Sequence, residues 1–232
     1  MSWIALKKLL RRVPLLQQLW HTIRKDPNHF LFSVSGVIHV GANTGQEREG
    51  YEEYGLNVLW VEPIPNIFKT LEKNIEHLHR QRAILALVTE QDNRSYQFHV
   101  ADNAGASSSI LELKDHKDLW PNVRYSETIP MTSTTLPSLL KKENIDLSKF
   151  NALIMDTQGS ELLVLQGALP ILRHFKFIKT EVADFEAYAD CCQLEDINRF
   201  MEHNGFENFS QTQFAGRSEV GHYFDVTYKR VS

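Results

Sequence analysis

From about residue 36 the chain alternates short, almost wholly apolar runs with longer stretches whose apolar residues return every three or four positions. Runs of the first kind predict strands buried on both faces, and stretches of the second predict helices packed against them. The expected order is a strand over about 36–41, a helix over 44–54, a strand over 58–62, a helix over 65–79 and a strand over 83–88. Gly55-Leu56-Asn57 turns the chain into the second strand, and Pro65 suits the first turn of the helix that follows. Such alternation predicts a parallel sheet with helices on both faces.

The middle of the chain changes period. Ser95-Tyr96-Gln97-Phe98-His99-Val100 alternates in steps of two, as a half-exposed strand does. A polar loop over 102–109, a returning strand over 127–132 and a helix over 136–143 follow. The first pattern then resumes, with strands at 152–156 and 175–182 and helices at 160–168 and 194–204. Two late strands, about 206–213 and 221–229, have no helix between them and predict an antiparallel pair. The fold class is thus α/β, a single doubly wound sheet, mostly parallel, with a C-terminal antiparallel hairpin.

Before this domain, Leu6, Leu9, Leu10, Val13, Leu16 and Trp20 recur at helical spacing among Lys7, Lys8, Arg11, Arg12, Arg24 and Lys25. Residues 1–30 read as a basic amphipathic extension and 31–232 as a single α/β domain. The extension suits either packing on its own domain or a second copy, or peripheral contact with an anionic membrane. It is too short and too interrupted by charge for a signal peptide or a spanning helix. The whole 232-residue chain carries a net charge of −4, so the part after this extension is clearly acidic, which argues against a nucleic-acid partner. The two cysteines, Cys191 and Cys192, are adjacent and cannot staple distant segments, which points to a reduced, cytoplasmic protein.

Candidate chemistry lies at the strand ends, where open α/β sheets gather their ligands. The first strand runs into Gly41-Ala42-Asn43-Thr44-Gly45, a turn that brings bare backbone to a nucleotide-like cofactor. Gly45 is expected to let the following helix lie close to the strand. The second strand ends in Glu62-Pro63, and a carboxylate there can accept both hydroxyls of an adenosine ribose. Asp156 and Glu181 end two later strands, and for either one a helix cap or a surface charge is the plain alternative. Glu161, in a first helical turn, has that structural explanation; Gln158 has less of one and is the better ligand contact. The glycine turn lacks the full spacing of a dinucleotide fingerprint, but an NAD-dependent oxidoreductase remains an alternative, as does a non-catalytic docking module. No Cys/His spacing suggests zinc, and Asp156 with Glu181 alone does not make a hard-cation site, so no metal is expected.

Three stretches together resemble the FkbM-type family of S-adenosylmethionine-dependent methyltransferases: Val40-Gly41-Ala42-Asn43-Thr44-Gly45, Val61-Glu62-Pro63, and Asp156-Thr157-Gln158-Gly159-Ser160-Glu161-Leu162 with Leu165-Gln166-Gly167-Ala168. Ser107-Ser108-Ser109-Ile110 and Thr134-Thr135-Leu136 share the likeness, which covers about 36–185. The resemblance implies a class I methyltransferase fold, S-adenosylmethionine as cofactor, and methyl transfer to a hydroxyl oxygen of a sugar, glycan or secondary metabolite. On that reading Glu62 and Pro63 meet the ribose, Gly41, Ala42, Asn43 and Gly45 line the ribose and methionine portions, and Val88-Thr89-Glu90 borders the adenine. His39, Asp156 and Gln158 complete the cofactor set. Asp156, Glu181 and His222, in that order, are the candidate proton acceptors. Two positions depart from the family pattern. His39 stands where an acidic residue is common, and either replaces its contact or sits in the strand core; Gln158 stands where Glu is frequent. The acceptor wall is expected from the insert over 92–135, with Trp120 and Tyr125.

Overall fold

The computed structural model describes residues 28–231; the basic extension lies outside the described residues. A 3₁₀ turn, His29–Ser33, leads into β1 (Gly36–Val40), followed by α1 (Arg48–Glu53), β2 (Asn57–Glu62), α2 (Pro65–Ile75) and β3 (Gln81–Leu85). The insert holds β4 (Leu87–Val88), β5 (Ser95–Ala101), α3 (His116–Leu119) and β6 (Tyr125–Thr134). Next come α4 (Leu136–Lys142), β7 (Ala152–Met155), α5 (Glu161–Gly167), β8 (Phe177–Ala183), α6 (Leu194–His203), β9 (Phe206–Arg217) and β10 (Gly221–Arg230).

Seven strands form one sheet in the order β3-β2-β1-β7-β8-β10-β9. The first five are parallel, and β10 pairs antiparallel with both β8 and β9. Because successive side chains of a strand point to opposite faces, β1 divides cleanly. Ile38 and Val40 join Leu59, Val61, Leu153, Met155 and Ile178 in the cluster that buries α4, α5 and α6. Val37 joins Val58, Trp60, Ala152 and Ile154 in the cluster that buries Tyr51 of α1 and Leu71 and Ile75 of α2. His39 therefore belongs to the second face by register. Both faces are covered, which is why these strands read as unbroken apolar runs.

The expected third strand is two strands. β3 stays in the main sheet; after Ala86 the chain leaves it, and Leu87 and Val88 pair with Ser133 and Thr134 of β6 in a separate three-stranded sheet, β4-β6-β5. The helix expected over 44–54 is also shorter, α1 covering Arg48–Glu53, because Gly41–Glu47 is spent on turns. Helix starts follow local chemistry. Thr135 accepts from Ser138 N at 3.3 Å ahead of α4, and Gln193 with Asp196 forms a reciprocal capping box at α6.

Candidate functional site

The sheet reverses its winding between β1 and β7, and the loops after those two strands meet at their carboxyl ends. Gly41 and Ala42 both donate to Val61 O, which folds the turn over β2. Gly41 has φ +82°, and a Cβ on it would stand 1.9 Å from the Asp156 carbonyl oxygen. The need for glycine is thus the contact between the β1 and β7 loops as much as room for a ligand. Gly45, φ +72°, is needed for a different reason from the one its position predicts: a Cβ there meets Leu71 of α2 at 2.7 Å, not the helix that directly follows.

Below this junction lies a cleft with about 640 Å³ of unfilled space, its mouth included. Its lining is chemically graded. Ile64, Ala86, Leu87, Val88 and Phe98 make an apolar end; Glu62 stands in the middle; Asn43, Asp156, Thr157, Gln158 and Ser160 make a polar end. Glu62 is 3% exposed. Its two oxygens accept from Asn43 N at 2.8 Å and Ile64 N at 2.9 Å, so the carboxylate is fixed while each oxygen keeps lone-pair capacity. Burial pushes its pKa up to about 7 against those two hydrogen bonds, with Asp156 adding repulsion.

Asn43 holds the turn from three sides. Its backbone is left-handed, φ 45°, its Oδ1 accepts from Thr44 N, and its Nδ2 donates to Ala104 O of the insert at 3.2 Å. The insert loop is pinned over the cleft again by Ser109 Oγ, which donates to Gln158 O at 2.8 Å. Gly105, Ala106 and Ser108 of that loop line the cleft. Trp120 and Tyr125, the expected acceptor wall, line neither cavity described here; they stack on His116 and His99. At the apolar end Val88 lines the cleft, but Thr89 and Glu90 are not among the lining residues, because β4 turns away to join β6.

On the other side of Asp156 opens a chamber with about 1100 Å³ of unfilled space, its open mouth included, lined by His39, Gln46, Glu47, Tyr51, Ile154, Asp156, Lys179, Glu181 and Asp225 among others. Asp156 lines both spaces. Its Oδ1 accepts from Gln158 Nε2 at 2.6 Å, and burial lifts its pKa to about 7 despite that bond, with Glu161 and Glu47 adding to the rise. Glu181 is raised well above the ordinary carboxylate range, by burial first and then by Asp156 and Asp225. Gln158, φ 53°, also accepts from Tyr188 OH at 2.6 Å, so its side chain is a brace between β7 and the β8–α6 segment as well as a cleft residue.

The expected set therefore divides. Gly41, Asn43, Glu62, Pro63, Asp156 and Gln158 line the cleft; Ala42 and Gly45 lie behind it as buried turn residues. His39 is in the core: it is 5% exposed, stacks on Trp60 at 5.0 Å between centroids, and pairs Nδ1 with Tyr51 OH at 3.2 Å. Burial lowers its pKa to about 4, so the ring is neutral, and it borders the chamber rather than the cleft. Glu181 borders the chamber, whereas His222 faces Asp184 at 3.5 Å and lines neither space. Glu161 is no ligand group; it accepts from Thr157 N and Gly159 N and closes its own loop. Phe98, Ile64 and Lys179 carry no site signal in sequence, because an isolated apolar or basic position gives no sign of its spatial partners.

A sheet with five adjacent parallel strands, a single reversed strand, β10, between β8 and β9, and a carboxylate-centred cleft at its switch point is the architecture of class I methyltransferases. A model of the methyltransferase FkbM domain matches residues 39–207, and the chain belongs to that family. Membership makes methyl transfer the class of activity and S-adenosylmethionine the methyl donor, and it displaces the nicotinamide reading. No curated protein matches the chain. Among solved structures, the METTL16 methyltransferase domain aligns with a TM-score of 0.50 and 11% identity over 87% of this chain and 64% of that one. Streptococcus pneumoniae Sp1610 with S-adenosyl-L-methionine gives 0.49 and 10% over 87% and 70%. Magnesium protoporphyrin IX methyltransferase from Synechocystis PCC 6803, with bound SAH, gives 0.49 and 9% over 95% and 83%. At such identities the likeness is one of fold.

No helix among the described residues is long and apolar enough to cross a membrane.

Proposed function

We propose that this chain methylates a hydroxyl oxygen of a sugar, glycan or secondary metabolite, with the cofactor in the graded cleft and the acceptor in the adjoining chamber. The observation that carries this reading is the position of Asp156 on the wall of both spaces. S-adenosylmethionine supplies a methyl group already activated by its sulfonium, so the protein's task is chiefly alignment. Ile64, Leu87 and Phe98 would enclose the flat apolar base, and Glu62 would accept the ribose hydroxyls. Asn43 and the Gly41 turn would hold the amino-acid end.

A hydroxyl that gains a methyl group must lose its proton. Asp156 is the proposed acceptor of that proton, since a base near pKa 7 is half ionised at neutral pH and still basic enough to help. Glu181 is the second candidate, one strand away in the same chamber. The test is transfer of labelled methyl from S-adenosylmethionine to a panel of polyhydroxylated compounds, read by mass spectrometry. Label on oxygen that depends on Asp156 supports the reading; label found only on nitrogen or carbon refutes the choice of acceptor atom.

A further inference from the structure

Asp156 is aimed by a tyrosine that touches neither space. Its Oδ1 accepts from Gln158 Nε2 at 2.6 Å, and Gln158 Oε1 accepts in turn from Tyr188 OH at 2.6 Å. An ionised carboxylate can only accept, so the amide must turn its NH₂ group to Asp156 and its carbonyl to Tyr188. The phenol proton then fills that carbonyl and fixes the sense of the amide. Tyr188 is 1% exposed and lines neither the cleft nor the chamber. Burial holds its pKa well above the ordinary phenol value, so it remains a donor across the neutral range. The other acceptor in reach, Ser107 O, is farther away at 3.5 Å.

Both links of this chain are themselves held. The Gln158 carbonyl accepts from Ser109 Oγ at 2.8 Å, which fixes the residue from the insert side. The Tyr188 ring packs in a cluster with Phe185, Ala187, Cys191 and Tyr223 and stands 5.2 Å from the His116 ring. Gly159 leaves room for it, since a Cβ there would lie 3.2 Å from Tyr188 Cδ2. Tyr188 also bridges Leu113 in antiparallel fashion, and Ala189 N donates to Glu112 O at 2.8 Å. Asp156 needs such support. Glu62 of β2, Glu47 ahead of α1, Glu161 of α5, Glu181 of β8 and Asp225 of β10 all act on it, with Lys179 and neutral His39 also at the chamber wall. The Gln158 amide favours its ionised form against burial, Glu161, Glu47 and Asp225.

We infer that Tyr188 is a positioning residue for methyl transfer: through the Gln158 amide it holds the Asp156 carboxylate in the orientation that takes the acceptor's proton. This rests on Asp156 being the proton acceptor and deepens that reading. A packing role needs the ring of Tyr188 but not its hydroxyl, and Tyr188→Phe separates the two. Tyr223→Phe is the comparison. It removes a second buried phenol of the same cluster, whose bond runs to His116 Nδ1 at 2.7 Å instead of toward Asp156.

The full chain is labelled isotopically at its aspartate side-chain carboxyl carbons, and the Asp156 resonance, assigned by its loss in Asp156→Asn, is titrated by NMR. Tyr188→Phe and Gln158→Leu should each move its midpoint upward by about one pH unit, as loss of a hydrogen bond to the charged form does, and the double variant should match Gln158→Leu. Tyr223→Phe should leave the midpoint in place. With a compound that takes labelled methyl from S-adenosylmethionine, Tyr188→Phe should lower kcat about tenfold at unchanged KM, the cost of a misaimed group. The acid limb of its pH profile should move to higher pH, because the ionised carboxylate is the working form. An unmoved midpoint in Tyr188→Phe or Gln158→Leu, or an equal move in Tyr223→Phe, overturns the inference. Slow turnover in Asp156→Asn with normal turnover in Tyr188→Phe overturns it while the parent reading stands. Normal turnover in Asp156→Asn overturns the parent reading itself.

Discussion

The cleft and the chamber share Asp156 and Gln46 but are built on opposite plans. In the cleft, the central acid is neutralised by geometry: Glu62 takes two backbone N–H groups and sits between an apolar end and a polar end. In the chamber, acids of β7, β8 and β10 face one another with Lys179 against them. A site that always binds the same cofactor can afford fixed hydrogen bonds. On the proposed reading the cleft would set the donor and the chamber the acceptor.

Removing the carboxylate they share should have the largest effect. Asp156→Asn is expected to slow methyl transfer about 10²–10⁴-fold, the usual worth of a positioned base, while S-adenosylhomocysteine affinity measured by calorimetry changes little. A variant with normal turnover would separate the two spaces functionally. Next is Gly41→Ala, which forces an L side chain into φ +82° and against the Asp156 carbonyl at 1.9 Å. We expect a loss of about 3 kcal/mol or more in urea unfolding, since left-handed strain alone costs roughly 1–3 kcal/mol. Glu62→Ala should leave the chamber intact and weaken S-adenosylhomocysteine binding about 10²-fold, by loss of charge-assisted bonds worth about 1.5–3 kcal/mol each.

The smallest effects are those of pH. Glu62 and Asp156 both have folded pKa values of about 7, raised from 4.5 and 3.8. Folding favours their protonated forms, so their contribution to stability is complete below the unfolded values and is lost as pH rises through about 7. Denaturation midpoints should therefore fall between mildly acidic and mildly alkaline pH, and Asp156→Asn should flatten that fall. If Glu62 takes the ribose as proposed, cofactor affinity should run the other way: about tenfold tighter S-adenosylhomocysteine binding across the same window, by simple ionisation of one group near pH 7. A flat affinity profile would place the ribose elsewhere.

Much of this plan is legible along the chain, and what is not has physical reasons. Strands buried on both faces must be apolar throughout, so β1, β2 and β7 announce themselves, and a polar residue ending each one stands out as Asn43, Glu62 or Asp156. The split between β3 and β4 is hidden because Ala83 to Val88 is one apolar run; which partner each half takes depends on β6, more than 40 residues on. Lys179 and Asp225 are hidden for the same reason, since only the strand order brings β8 beside β10. Gly45 was readable as a glycine that matters, but its true neighbour, Leu71, belongs to a helix beyond the next strand. His39 departed from the family pattern in sequence, and its register places it on the chamber side, stacked on Trp60 and paired with Tyr51.

The most direct test is a crystal structure with S-adenosylhomocysteine bound. The account predicts the base between Ile64 and Phe98, both ribose hydroxyls on Glu62, and the sulfur beside Asp156, facing the chamber. A cofactor lying in the chamber, or one whose ribose does not touch Glu62, would contradict it.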